Sequence, residues 1–200
     1  MATRVVVATG NPGKLAELED LLDGLGLDLV AQGALGIGDA DETGTSYVEN
    51  ALIKARHAAR ASGLPALADD SGLAVAALGG APGLHTARYA GPGASAADNI
   101  GKLLAALDGV PDRQRGACFH ACLVLVRAAD DPLPIIAQGR WNGRILQAPR
   151  GRGGFGYDPV FLDEESGLAA AELDERTKNR ISHRGRAVAA LREALAQGWP

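Results

Sequence analysis

Three observations predict an α/β fold with a mixed rather than purely parallel central sheet flanked by helices. A β-branched run passes through a tight Gly/Pro loop into a helical pattern near the N-terminus. Capped amphipathic segments then alternate with apolar runs, and two consecutive β-rich runs follow with only a turn between them. Alternating strands and helices imply parallel pairs, and the two adjacent runs add a hairpin.

Taken in order, Arg4-Val-Val-Val-Ala8 is bounded by Gly10 and Pro12, the pattern of a strand buried on both faces. Asn11 stands at a cap position, Pro12 suits a first helical turn, and Leu15, Leu18, Leu22 and Leu25 recur at helical spacing. A second helix is expected from Ser46, since Ser46 and Glu49 form the Ser-x-x-Glu box in which each side chain satisfies a first-turn amide. Its stripe is Val48, Leu52, Ala55 and Ala59. Asn50, Lys54 and His57 fall on another face, where Lys54 either aims into a cleft or is simply solvated; periodicity alone favours solvation.

Pro65-Ala-Leu-Ala68 leads into Asp69 and Asp70, read as a strand end. Residues 79–97 are rich in Gly, Pro and Ala, the composition of a long surface loop or lid. A helix over 95–107 follows, then β-rich runs over 117–127 and 135–145 with a turn at Asp131-Pro132. Val160-Phe-Leu162 reads as a short strand. Ser182 caps a last helix that carries Val188, Leu191 and Leu195 on one side.

Two hundred residues suffice for one well-buried domain or two closely packed lobes, rather than a linker-joined pair. The net charge of −4 argues against a protein that grips a nucleic-acid backbone, because such binding depends on clustered cations displacing counterions. Free nucleotides remain compatible, since a local group of cations beside a divalent ion overrides a mildly acidic whole. The apolar run at 5–8 is far too short for a secretory or membrane-spanning segment, so a cytoplasmic location and no membrane partner are expected.

Four polar stretches carry the candidate chemistry. Thr9-Gly-Asn-Pro-Gly-Lys14 sits between strand and helix, where backbone N–H groups at the helix start attract anions and Lys14 adds a charge. It is not the Walker loop, which needs four residues between its glycines and Ser or Thr where Leu15 stands. An ordinary turn with a solvated lysine is the competing reading. Asp69 and Asp70, adjacent on a strand, point to opposite faces, so only one belongs in a metal site, with Asp41 or Glu42 as upstream partner. Mg²⁺ takes a carboxylate or two together with substrate phosphate and water. The two acids followed by Ser-Gly also make a good turn.

Phe155 and Tyr157 account for two of eight aromatic residues and lie among glycines, which favours base stacking over strand-edge packing. Arg184 falls in a first helical turn, where the helix dipole disfavours cations, so an acceptor on a ligand is expected beside it. Cys118, His120 and Cys122 share one strand face, but same-face neighbours lie about 7 Å apart, too spread for one tetrahedral zinc.

In order and nearly end to end, these stretches resemble the inosine triphosphate pyrophosphatase family. The resemblance rests on residues 9–14, Glu42-Thr-Gly44, Glu49-Asn-Ala51 with Lys54, Ala68-Asp-Asp-Ser-Gly-Leu73, and Ala87-Arg-Tyr89 within 83–91. It continues through Phe119-His120, residues 153–161, Lys178 and Ser182-His-Arg-Gly185. It implies an elongated mixed α/β fold with two lobes around a cleft, Mg²⁺ dependence and a homodimer. The implied activity is hydrolysis of dITP, ITP and XTP to the monophosphate and pyrophosphate. By the same resemblance Thr9, Gly10, Asn11, Pro12, Gly13 and Lys14 are the phosphate loop. Glu42 and Asp70 are metal ligands, Asp70 is also the proton acceptor, and Lys54 and Ser71 are further substrate contacts. Phe155, Gly156, Tyr157, Asp158, Lys178, His183 and Arg184 form the base pocket.

Three rival readings stay open at this level. One is a nucleotide-binding sensor without chemistry, one a pyrophosphatase for pyrimidine or modified-base triphosphates, and one a nucleic-acid module stacking bases on Phe155 and Tyr157.

Overall fold

The computed structural model describes residues 2–198. Six strands, β1 Thr3–Ala8, β2 Leu27–Ala31, β3 Ala66–Val75, β4 Gly116–Val126, β5 Ile135–Ile145 and β6 Phe161–Leu162, form one sheet in the order β2-β1-β3-β4-β5-β6. The helices are α1 Pro12–Leu22, α2 Tyr47–Ser62, α3 Ala96–Ala106, α4 Glu175–Ile181 and α5 His183–Ala196. β1 pairs in parallel with both β2 and β3, whereas β5 and β6 are antiparallel, so the sheet is mixed as expected.

The chain divides into two compact units. The first comprises the residues up to Asp70, Ala121–Gly139 and the chain from Arg184 onward; the second comprises Ser71–His120 and Arg140–His183. In the first, the two-residue period of the strands sorts side chains between helices. Val5, Val7, Leu67, Leu123 and Leu125 pack with Leu18 and Leu22 of α1 and with Val188 and Leu191 of α5. Val6, Ala8, Ala66, Ala68, Val124 and Val126 pack with Ala51, Ala55, Ala58 and Ala59 of α2. Burial on both faces is why β1 reads as an unbroken apolar run. The buried stripe of α2 includes Ala51 and Ala58, and Val48 and Leu52 are only partly covered.

The second unit is built on aromatic rings. Phe119 and Trp141 meet Phe161 at centroid distances of 4.6 and 4.9 Å, and Leu73, Val75, Leu103 and Tyr157 complete the cluster. Trp141 Nε1 donates to Asp163 Oδ1 at 2.9 Å, which satisfies the one polar atom its burial would otherwise strand.

Local signals explain most boundaries. Ser46 Oγ accepts from Glu49 N, and the Glu49 carboxylate reaches back to Thr45 N at 2.8 Å. Ser95 and Asp98 cap α3 reciprocally. Asp131 makes the turn between β4 and β5, accepting from the backbone N–H of Arg127 and Leu133 and from the Arg127 guanidinium. Residues 79–97, expected as a surface loop or lid, include a 3-10 turn at Gly83–Arg88 fastened to its neighbours. Thr86 Oγ1 accepts from Leu73 N at 2.8 Å, and the Asn99 side chain on α3 bonds both Ala87 O and Ala90 N. Two elements carry no sequence expectation: β2, a half-buried edge strand, and α4, whose Glu-Arg-Thr-Lys-Asn-Arg-Ile run has no apolar period. No helix among the described residues is long and apolar enough to cross a membrane.

Candidate active site

The register of β1 on β3 pairs Ala8 with Ala68, so the loop after Ala8 begins beside Asp69 and Asp70. Asn11 caps α1 from an extended conformation, its Oδ1 accepting from Gly13 N at 2.9 Å and Lys14 N at 3.2 Å. Those two amides, expected to face an anion, are therefore already engaged, and the cation of Lys14 becomes the stronger anion-attracting feature of the loop. Gly10 passes the Asp39 carboxylate so closely that a Cβ would lie 3.0 Å from either oxygen, which explains a glycine there. A pocket of about 350 Å³ lies against the loop, lined in part by Thr9, Gly10, Asn11, Pro12, Gln32 and Asp39.

Asp69 and Asp70 are not at a strand end. β3 runs on to Val75, and the two carboxylates face different partners, as neighbours on a strand must. Asp69 shares the parity of Leu67 and meets the α1 and α5 side: Lys14 Nζ lies 3.6 Å from its Oδ1, and Arg184 Nε donates to its Oδ2 at 2.6 Å. Arg184 also pairs with Glu17 on α1. Protein carboxylates on β3 and α1 thus stand as acceptors beside this first-turn arginine. Burial pulls the Lys14 ammonium below its ordinary range, and Asp69 opposes that shift.

Asp70 shares the parity of Ala66 and Ala68 and meets α2. Its Oδ1 accepts from Lys54 Nζ at 2.7 Å, and the same ammonium lies 3.0 Å from Glu42 Oε1 and donates to Asp69 O at 3.0 Å. Lys54, which periodicity left solvated, has a side chain only 13% exposed. Glu42 is brought there because the following Thr43-Gly44 turn is tied to the start of α2 by Gly44 N donating to Asn50 Oδ1 at 2.8 Å. A Cβ at Gly44 would strike Glu49. Burial raises the pKa of Asp70 above the ordinary carboxyl value, against the pull of Lys54. For Lys54, burial alone would lower the pKa, but Asp70 and Glu42 outweigh it and hold the ammonium firmly charged.

Two hard carboxylates converging on one cation fit a divalent ion whose other ligands are phosphate oxygens and water. Among the described residues no group of three or more His, Cys, Asp or Glu is arranged to hold a metal. Cys118 and Cys122 are free thiols on β4, and burial pushes the pKa of Cys122 up to about 11, which keeps it protonated.

In the second unit the glycine-rich stretch folds around Asp158. Its Oδ2 accepts from Phe155 N at 2.8 Å and from Lys178 Nζ at 2.7 Å, and the Lys178 ammonium lies 5.0 Å from the centre of the half-buried Phe155 ring. Gly154 adopts φ +69°, and a Cβ there would overlap Asp158. Gly156, at φ +59°, makes the next turn. Tyr157 does not share the role expected of Phe155: its ring is buried in the core and its hydroxyl donates to Thr86 O at 2.9 Å. His183 is buried too, stacked on Phe119 with centroids 4.7 Å apart. Ser71 follows Asp70 on β3 and is half-buried.

The first unit therefore gathers residues 9–14, Glu42, Lys54, Asp70 and Arg184, and the second holds Ser71, 155–158, Lys178 and His183. Glu17 and Asp69 were missed as members of the ionic network. The available signal was that Glu17 follows Lys14 by one helical turn, and that the second acid of the pair also needed a cation.

A strand-loop-helix with a half-buried lysine, two acids on one ammonium, and an aromatic beside a fixed ammonium make an α/β protein equipped for a phosphorylated, flat-ringed ligand. The chain belongs to the Ham1 family, whose profile matches residues 5–194. A relative from Methylococcus capsulatus named dITP/XTP pyrophosphatase is 60% identical over 195 residues, covering 98% of this chain and 97% of its own. One of the same name from Xanthomonas oryzae pv. oryzae is 59% identical, covering 96% of each chain. The solved structure of a HAM1 protein from Coxiella burnetii superposes with a TM-score of 0.90 at 47% identity, over 98% of this chain and all of the other. The fold class and the family resemblance read from the sequence are both borne out.

Proposed function

We propose that this chain is a nucleoside-triphosphate pyrophosphatase that hydrolyses the non-canonical purine nucleotides dITP, ITP and XTP to the monophosphate and pyrophosphate. It thereby removes them from the nucleotide pool. The observation that carries the reading is the pairing of Ala8 with Ala68, by which residues 9–14 start beside Asp70, together with the convergence of Glu42 and Asp70 on the Lys54 ammonium. The family membership and the names of its relatives support it.

In this reading Thr9, Gly10, Asn11, Pro12, Gly13 and Lys14 receive the phosphates, and Lys54 and Ser71 add contacts. Glu42 and Asp70 hold Mg²⁺, which when bound neutralises phosphate charge and polarises the phosphoryl group. Asp70 takes a proton from a water molecule, whose oxygen bonds the α phosphorus as the bond from that phosphorus to the bridging oxygen breaks and pyrophosphate departs. Burial raises the pKa of Asp70 above the ordinary carboxyl value, against the pull of Lys54, and so makes it a stronger base. The base stacks by Phe155, within the turn formed by Gly156, Tyr157 and Asp158, and Lys178 and His183 supply donors to a 6-oxo group. Arg184 acts from its place beside Asp69. A 6-amino group meets mismatched donors there, and buried groups left unpaired discriminate by up to about 10⁴.

We further take the protein to act as a cytoplasmic homodimer on free nucleotides rather than on nucleic acid or membranes. Pyrophosphate release from ITP, XTP, dITP, GTP, ATP and pyrimidine triphosphates, with and without Mg²⁺, tests the activity. Comparable turnover of ATP and ITP would refute the 6-oxo readout, and no release from any purine would refute the enzyme.

A further inference from the structure

We propose that Asp69 is a positioning residue that aims Lys14 at the phosphate chain; the proposal rests on the pyrophosphatase reading. Asp69 has no solvent-exposed side-chain surface and uses its two oxygens differently. Oδ2 is fixed by Arg184 Nε at 2.6 Å, and Arg184 is itself pinned to Glu17, one turn beyond Lys14 on α1. Oδ1 faces Lys14 Nζ at 3.6 Å, beyond hydrogen-bonding length, so the attraction orients the ammonium without spending its donors on the carboxylate.

The chain of contacts β3, α5, α1 thus closes on itself: Asp69 to Arg184, Arg184 to Glu17, Glu17 through one helical turn to Lys14, and Lys14 back to Asp69. A lysine on a flexible four-carbon stem gains a defined direction from such a closed set, and burial alone would discourage it from keeping its charge. Asp70, the neighbouring acid, faces α2 and is hydrogen-bonded to Lys54; it reaches Lys14 only through its charge, less strongly than Asp69 does.

The test is a double-mutant cycle on binding rather than on turnover. Calorimetry measures magnesium pyrophosphate and, separately, the nucleoside inosine, for the native chain, Asp69→Asn, Lys14→Ala and the double variant. Asp69→Asn is expected to weaken pyrophosphate on the order of tenfold, to leave inosine unchanged, and to have no further effect once Lys14 is removed. Should the asparagine variant not fold, Asp69→Glu replaces it in the cycle, with a smaller weakening that again vanishes in Lys14→Ala. Unchanged pyrophosphate affinity, equal weakening of inosine, or an undiminished effect without Lys14 would each overturn the proposal. ITP turnover by the native chain tests the underlying reading on its own: a chain that fails to hydrolyse ITP yet shows the expected cycle loses the substrate assignment and keeps the role of Asp69.

Discussion

At the scale of single residues, adjacent acids on one strand do different work because their side chains leave opposite faces of the sheet. Asp70 meets Lys54 and Glu42, whereas Asp69 meets Lys14 and Arg184. Asp70→Asn keeps the shape and removes the proposed base, so turnover of ITP should fall by about 10² to 10⁴ with little change in thermal midpoint. Near-native turnover under saturating Mg²⁺ would show that another group takes the proton. Lys54 now restrains the rise in the pKa of Asp70 that burial causes. In the metal-free protein, Lys54→Met should therefore move the Asp70 titration to higher pH, measurable from its carboxyl carbon by NMR. A shift to lower pH would contradict the assignment of Lys54 as its main charged partner.

At the scale of elements, short connections owe their shape to one carboxylate each. Asp131 joins β4 to β5 by accepting two backbone amides and the Arg127 guanidinium, and those bonds hold its pKa well below the ordinary value of 3.8. A depressed carboxyl pKa stabilises the fold fully above 3.8, and the contribution is lost as pH falls from there toward the folded value. Asp131→Ala should cost about 1–2 kcal/mol at neutral pH, with the difference from the native chain shrinking in denaturant titrations below that window. In the glycine-rich stretch, a Gly154→Ala change meets both a positive φ and the Asp158 carboxylate. It should loosen the hold of Asp158 on Lys178 and Phe155 and raise KM for ITP more than it lowers kcat. An unchanged KM would separate this turn from base recognition.

At the scale of the whole molecule, the candidate residues fall into two sets, the set proposed for phosphate and metal in one compact unit and most of the set proposed for the base in the other. Fragments of the substrate should therefore report on them separately. Lys14→Ala is expected to weaken pyrophosphate and spare inosine, and Lys178→Ala to do the reverse, by about tenfold each in calorimetry. Loss of both ligands in either variant would mean that the sets are not independent. Chelation by EDTA should abolish ITP turnover and Mg²⁺ should restore it, and light scattering of the native chain should give twice the monomer mass.

Much of this was open to a reader of the chain alone, because its signals are local. β-branched runs, Ser and Asn caps, the Asp131 turn and the glycines among residues 151–156 act over a few neighbours, so strands, helix starts and the mixed sheet class followed from them. The polar motifs in series identified the family for the same reason. What took the tertiary structure was every partnership across distance: Lys54 drawn from the solvent side of α2 to Glu42 and Asp70, Tyr157 withdrawn into the core, and Arg184 claimed by Asp69 and Glu17. Strands and helices announce themselves by period, but which cation meets which carboxylate depends on strand register and helix packing, and these are set only when remote segments come together.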